Sequence, residues 1–554
     1  MLLIIINWLY VLLLSIGIGA SVLRVFCPKG ENPRLAYAVI CGLSLIAFGA
    51  NLFSLFFQIG LLYNLLVAML ALWGFWQLPS GYGQALWRRA KAQHWIEYVF
   101  FGFIVLVVLL KSASPTEILD EGGYFLQYIK WIENYSVVPG LANLQGRFGF
   151  NSSWHILSAV FSFSWLSGSK FYELNGFLLL VLGGYFIFGT TKELRSGRKV
   201  SAFLKILVCI FLFRNFITSS ASDLSNIYLS FFALVLALEK IEEKSKSVKQ
   251  FDDKLITLFL TVLLVSTIKI SSVLNVLLLV PFIVPFRAKI LLSLLAASII
   301  YVIPWLLRFY FMTGYLVFPV YQLDFFEPDW KLPNAAVVVA YKGVSSFAKN
   351  DQLPTEQVAK MNVKEWFPLW LGKLPGEQKL FFFSTLFGFL LSLLFVLSKK
   401  YEWRLKFLLF FLMGCIIYWF FHYPAFRFAW GWILAFNLLV WTLFAFDYLK
   451  LNRKYALWAV MLLLGLGTIR NVAKTVIETR NDFSSIVVKQ APFPAHNAEK
   501  VEINNFSSQL ANPCWDAPLP CVLPWYNRNI EQRTASVEEG FRPGAINNNG
   551  LLSE

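Results

Sequence analysis

LFFFSTLFGFLLSLLFVLSKK, Leu380 to Lys400, decides the fold class. Between Leu380 and Ser398 it carries no charge, and its apolar side chains fall on every face of a helix. A helix needs about twenty apolar residues to cross the hydrocarbon core of a bilayer. Backbone in lipid must satisfy its own hydrogen bonds, so a run that is apolar all round reads as a transmembrane helix. Lys399 and Lys400 close the run on the side that the positive-inside rule makes cytoplasmic.

The pattern repeats along the whole chain. Hydropathy predicts about fourteen spans, near 2–23, 35–57, 59–79, 96–111, 171–190, 201–217, 225–239, 255–268, 272–286, 290–308, 380–398, 405–421, 430–447 and 456–469. Only 14% of the 554 residues are charged and 58% are hydrophobic, which excludes an ordinary soluble domain. The expected fold is all-α, a polytopic transmembrane helix bundle. The first run, Leu2 to Val22, lacks a basic start and exceeds a signal-peptide core, so it is expected to be retained.

The net charge of +16 sits mostly in short loops. One set of loops holds Arg88, Arg89, Lys91, then Lys192, Arg195, Arg198, then Lys240, Lys244, Lys246, then Arg287, Lys289, then Lys450, Arg453, Lys454. Opposite short loops hold only Lys269 and Arg427. This asymmetry is a topology and headgroup signal rather than a sign of nucleic-acid binding. It puts both termini on the non-cytoplasmic side and leaves three long segments there. The expected division is 1–111 spans, 112–170 first outer loop, 171–308 spans, 309–379 second outer loop, 380–469 spans and 470–554 outer tail. No cytoplasmic loop is long enough for a nucleotide-binding domain, and neither a phosphate-loop motif nor an internal repeat is visible.

Ionisable residues at membrane depth are costly and mark candidate sites. In SASPTEILDEGGYF, Glu117, Asp120 and Glu121 follow directly on a span end. Any of them suits a general base, and the same acids also suit a solvated span end. Arg147 and Asn151 follow in GRFGFNSSW, Asp223 in SSASDLSN, Lys269 in STIKISS, Arg308 in IPWLLRFY and Arg427 in FHYPAFRFAW. Topology gathers all of them at one face. Acids beside several cations fit a lipid phosphate substrate and a base. A divalent metal at Asp120 and Glu121 is compatible with these residues but not demanded by them. Cys514 and Cys521 in CWDAPLPC are expected to close a small disulfide loop in the tail, with Asp516 inside it.

The many spans, the acids just past a span in a first long outer loop, and the Ile303–Pro319 stretch IPWLLRFYFMTGYLVFP resemble GT-C type glycosyltransferases. That resemblance implies a polyprenyl-phosphate-linked sugar donor and an acidic base, carried over to Asp120 with Glu121 or Glu117 as alternates. VPGLANLQGRFGFNSSW (Val138 to Trp154) and CWDAPLPC resemble a family of bacterial polytopic membrane proteins of uncharacterised function. In that family's pattern a His often stands where this chain has Phe125 and Gln145.

The expected activity is sugar transfer to an envelope glycan or protein acceptor at the outer face of the bacterial cytoplasmic membrane. Glu117, Arg147, Asn151, Asp223, Lys269, Arg308 and Arg427 would bind substrate. A transporter or flippase for a lipid-linked or envelope glycan precursor would use the same charges. A structural subunit would use the outer loops for docking. Convergence of the polar residues beside a lipid-sized groove separates the enzyme from the docking subunit.

Overall fold

In the computed structural model of the protein, residues 1–26, 32–78, 80–116, 118–167, 171–196, 199–214, 216–243, 252–451, 453–479, 486–488, 490–524 and 529–544 are described. The chain is mostly helical and forms a multi-pass membrane bundle. Among the described residues, nine helices are long and apolar enough to cross a membrane. They are α1 (Leu2–Phe26), α2 (Leu35–Phe53), α3 (Trp95–Ala113), α4 (Leu174–Leu194), α5 (Ser222–Glu242), α6 (Ala288–Thr313), α7 (Gly376–Leu397), α8 (Trp403–His422) and α9 (Trp430–Asp447). Leu61–Gln77 with Tyr82–Lys91 makes a tenth if the bent pair is one span.

Each of the fourteen apolar runs of the sequence overlaps a helix among the described residues, but not all are simple spans. Lys199–Arg214 and Asp253–Ile268 have 16 residues each, short of the roughly twenty a span requires. The run expected at 272–286 is mostly a 3₁₀ helix, Ile270–Leu279, continued by Val280–Ile283. Its period of three puts Ser272, Asn275 and Leu278 on one buried line. That line meets α5: the Ser272 hydroxyl donates to Asn226 Oδ1 (2.6 Å) and Asn275 Nδ2 donates to Ser230 Oγ (3.1 Å). Trp432 of α9 donates to Asn275 Oδ1 (2.9 Å), so three elements lock on one amide.

Two packing regimes hold the bundle. α1, α2 and the helix Leu61–Gln77 approach through small residues, as helices in lipid do when backbones must come close. A Cβ on Gly42 would stand 2.0 Å from the Ser15 carbonyl oxygen, and one on Gly74 would stand 2.1 Å from that of Gly17. α5 is the axis, with 89% of its span window buried, whereas only 17% of the α6 window is buried. A peripheral helix can present Leu292, Leu295 and Ile299 to lipid because lipid tails are as apolar as its neighbours.

The two ends of the bundle differ. At one end Glu239 pairs with the buried Lys205 and Lys254, and Lys254 also bonds Glu243 at 2.6 Å. Each buried charge there has an opposite partner, which is the condition for keeping it ionised. The other end carries the long segments and is called here the loop-rich end. It also departs from the all-helical expectation. Glu499–Ile503 and Phe506–Leu510 pair antiparallel, and Cys521–Val522 joins the latter in parallel. Ile530–Gln532 and Phe541–Pro543 form a second pair. A disulfide joins Cys514 and Cys521 between these strands.

Candidate functional site

The helix α3 ends at Ala113, and the chain turns back as a π-helical turn, Glu121–Phe125, leading into the helix Leu126–Asn134. Asp120 and Glu121 stand at its start and, being adjacent on a helical turn, face different ways. Glu121 is 2% exposed. Its Oε2 accepts from Ser219 Oγ (2.6 Å) and the Ser220 backbone N–H (2.9 Å), and its Oε1 accepts from Ser220 Oγ (2.6 Å). Burial raises its pKa above the ordinary Glu value, while these hydrogen bonds pull the other way. Asp120 keeps 33% of its side chain exposed.

Asp120 is the centre of a charged cluster. Its Oδ1 accepts from Arg147 Nη1 at 2.8 Å, and Arg427 Nη1 stands 3.9 Å from its Oδ2. Arg147 also lies over the Tyr124 ring, 5.2 Å from the centroid. Next to this triad Asp223 pairs with Lys269. Helix ends place both favourably. Asp223 is in the first turn of α5, and Lys269 caps the C-terminus of Asp253–Ile268, so each faces the opposite pole of its helix dipole. Tyr124 lies within electrostatic reach of Asp120, Arg147, Asp223 and Arg427, and Lys269 within reach of Arg427 and Asp120. The two ion pairs therefore form one site. Phe428 joins them: Lys269 Nζ is 4.3 Å and the Arg427 guanidinium 5.0 Å from its ring centre. Phe347, from the second long segment, stacks on Arg427 at 5.5 Å.

Five of the residues singled out in the sequence thus converge: Asp120, Arg147, Asp223, Lys269 and Arg427. Glu121 lies directly behind them with both oxygens engaged. Arg308 and Asn151 go elsewhere. Arg308 is 2% exposed and donates to Ser54 Oγ (2.6 Å), Asn151 Oδ1 (3.3 Å) and Tyr128 OH (3.3 Å). Asn151 returns a bond to the Trp305 carbonyl (3.0 Å). This knot ties α6 to α2 and to the first long segment instead of facing the cluster. Glu117 lies outside the described residues.

Sequence reasoning did not single out Tyr124, Phe347 or Phe428, whose rings organise the cations. Their only signal was adjacency to charged residues. It also missed Ser219 and Ser220 as partners of Glu121, although both stand in the SSASDLSN stretch.

The disulfide loop supports the acidic turn from outside. The Trp515 backbone N–H donates to the Gly122 carbonyl (2.9 Å). Gln127 Nε2 donates to the carbonyls of Trp515 (2.9 Å) and Ala517 (3.0 Å). Lys130 bonds the Ala517 carbonyl (2.9 Å) and the Asp516 carboxylate (3.2 Å). Asp516 therefore holds the clamp rather than the cluster.

Among the described residues, a metal at Asp120 and Glu121 finds no ligand set. Asp120 faces two guanidinium groups, and the Glu121 oxygens are taken by hydroxyl and amide donors. Among the described residues no group of three or more His, Cys, Asp or Glu side chains is placed to hold a metal ion.

A search of curated proteins and one of solved structures each gave no match to the chain. One family model does match, over residues 1–434, which include Asp120, Arg147, Asp223, Lys269 and Arg427. The chain belongs to the family described as Domain of unknown function (DUF8201).

Proposed function

We propose that this protein is a GT-C type membrane glycosyltransferase, a bundle of about fourteen membrane-crossing elements acting at the outer face of the bacterial cytoplasmic membrane. It moves a sugar from a polyprenyl-phosphate donor to an envelope glycan or protein acceptor. The observation that carries this reading is the position of Asp120 between Arg147 and Arg427, partly exposed, with Asp223–Lys269 beside it.

The triad couples donor binding to base release. In the free chain Arg147 and Arg427 are turned toward the Asp120 carboxylate. A lipid phosphate competes for both, because guanidinium groups bind phosphate oxygens well. Once they turn to the phosphate, the Asp120 oxygens are free to take a proton from the acceptor hydroxyl. The acceptor oxygen then bonds to the sugar's anomeric carbon. The bond from that carbon to the phosphate oxygen breaks, and its electron pair leaves on the lipid phosphate. Arg427 and Lys269 stabilise that charge. The buried Glu121 positions the turn rather than exchanging protons with substrate.

The broken helix at Ile270–Leu279 is the feature that favours a transporter or flippase, since such folds use discontinuous helices. Its Ser272 and Asn275 side chains are nevertheless paired with α5 and α9.

The test is complementation of a deletion strain with Asp120→Asn and Glu121→Gln, reading surface glycans and lipid-linked sugars with membrane expression verified. Transfer predicts that Asp120→Asn loses one glycan and accumulates its lipid-linked donor. Normal glycans in Asp120→Asn overturn the mechanism. Cysteine accessibility of residues near Asp120 from outside intact cells tests the orientation.

A further inference from the structure

A groove lies between α7, α8 and α9, with a cavity volume of ≈ 150 Å³. Its wall is apolar almost throughout, with Leu386 and Phe389 from α7, Ile417 and Phe421 from α8, and Phe426. Leu386, Ile417 and Phe421 are each about half exposed at 49%, 48% and 53%, so the groove opens sideways toward lipid. Phe426 is held in that wall by Trp370, whose ring lies parallel to it and whose indole N–H donates to the Pro424 carbonyl (2.6 Å).

Phe426 is the connection to the charged cluster. Phe426–Phe428 is one 3₁₀ turn, and in such a turn successive side chains point about a third of a circle apart. Phe426 goes to the groove, Arg427 goes to Asp120, and Phe428 carries Lys269. A single turn therefore joins a hydrocarbon-lined, membrane-open groove to the two cations assigned to the leaving phosphate. An amphiphile with an anionic head and a hydrocarbon chain matches both surfaces at once.

We infer that this groove seats the first isoprenoid units of the lipid-phosphate substrate, with Arg427 holding the phosphate at its head. The inference rests on the glycosyltransferase reading for the identity of the lipid, and on the groove and turn for its place. A cavity of this size takes a body about as large as benzene, so one or two prenyl units enter and the rest of the chain stays in the bilayer.

The experiment uses the full-length protein in nanodiscs and a farnesyl phosphate carrying a diazirine on its first prenyl unit, with photolabelled peptides mapped by mass spectrometry. Label is expected on α7 and α8 residues of the groove. Unlabelled farnesyl phosphate should lower it about tenfold, and farnesol of the same length should not. Leu386→Trp and Ile417→Trp fill the groove from lipid-facing positions and should each lower labelling about tenfold, with monodispersity checking their fold. Label spread equally over lipid-facing α6, or unaffected by the phosphate competitor, means bulk lipid only and overturns the inference. Competed groove label alongside normal glycans in Asp120→Asn keeps the groove and removes transfer. Lost glycans without groove label do the reverse.

Discussion

Gly122 and Trp515 fit so closely that a Cβ added at Gly122 would lie 2.5 Å from the indole Cδ2. The contact is with the body of the ring, which cannot swing away as a flexible chain end would. It joins the acidic turn to the disulfide loop across most of the sequence, and the hydrogen bond from the Trp515 backbone N–H to the Gly122 carbonyl runs beside it.

Gly122→Ala should push the loop off the turn. The expected loss is about 1–3 kcal/mol, as for other overpacked contacts. Limited proteolysis should show faster cleavage within 499–543, and complementation should weaken because Asp120 immediately precedes the displaced turn. Unchanged proteolysis and unchanged glycans would show that the contact has no positioning role.

Reduction of Cys514–Cys521, or Cys514→Ser, should loosen the same clamp. Chain-entropy estimates for so short a loop are about 2.5 kcal/mol. The loss should appear as protease sensitivity of the strand-rich tail, with the melting of the helical bundle little changed, because the disulfide closes only the tail. A matching fall in bundle melting temperature would contradict this division.

Arg427 and Arg308 should separate function from stability. Arg427 is 47% exposed, so its ion pair with Asp120 contributes under about 1 kcal/mol. Arg427→Gln should keep the wild-type melting temperature and lose glycan synthesis. Arg308→Met strips donors from Ser54, Asn151 and Tyr128 in the interior, a loss on the order of 3 kcal/mol. It should lower expression and melting temperature together. The opposite pattern would place the substrate phosphate at Arg308.

Glu121 should leave a signature in the pH dependence of stability. Its pKa is raised by burial from the ordinary 4.5, so between these values the folded chain holds a proton that the unfolded chain has released. The stabilising contribution is complete below the ordinary value and declines as pH rises through the folded one. Thermal melts of wild type and Glu121→Gln in nanodiscs, from about pH 4 to about pH 8, should show this decline in the wild type alone. Equal slopes would mean that folding leaves the Glu121 pKa unshifted.

Hydropathy is a local property, and it was legible in the sequence. Most apolar runs became α-helix, which satisfies its own backbone hydrogen bonds within one segment, and 380–398 lies wholly within α7 apart from its last residue. The pairing of Cys514 with Cys521 was legible for the same reason, since the two are seven residues apart. The break of the 272–286 run into a 3₁₀ helix was not legible. It depends on the spacing of Asn226 and Ser230 on a different helix.

The site divides in the same way. Residue type and span ends, both local, marked Asp120, Arg147, Asp223, Lys269, Arg308 and Arg427 alike. Whether a cation at a helix end faces the acid or the core depends on the rotation of its helix against its neighbours. Packing sets that rotation, so only the tertiary structure sent Arg427 to Asp120 and Arg308 inward. It also exposed Asp120 and buried Glu121, because adjacent residues on a turn must face different ways and only one face meets water.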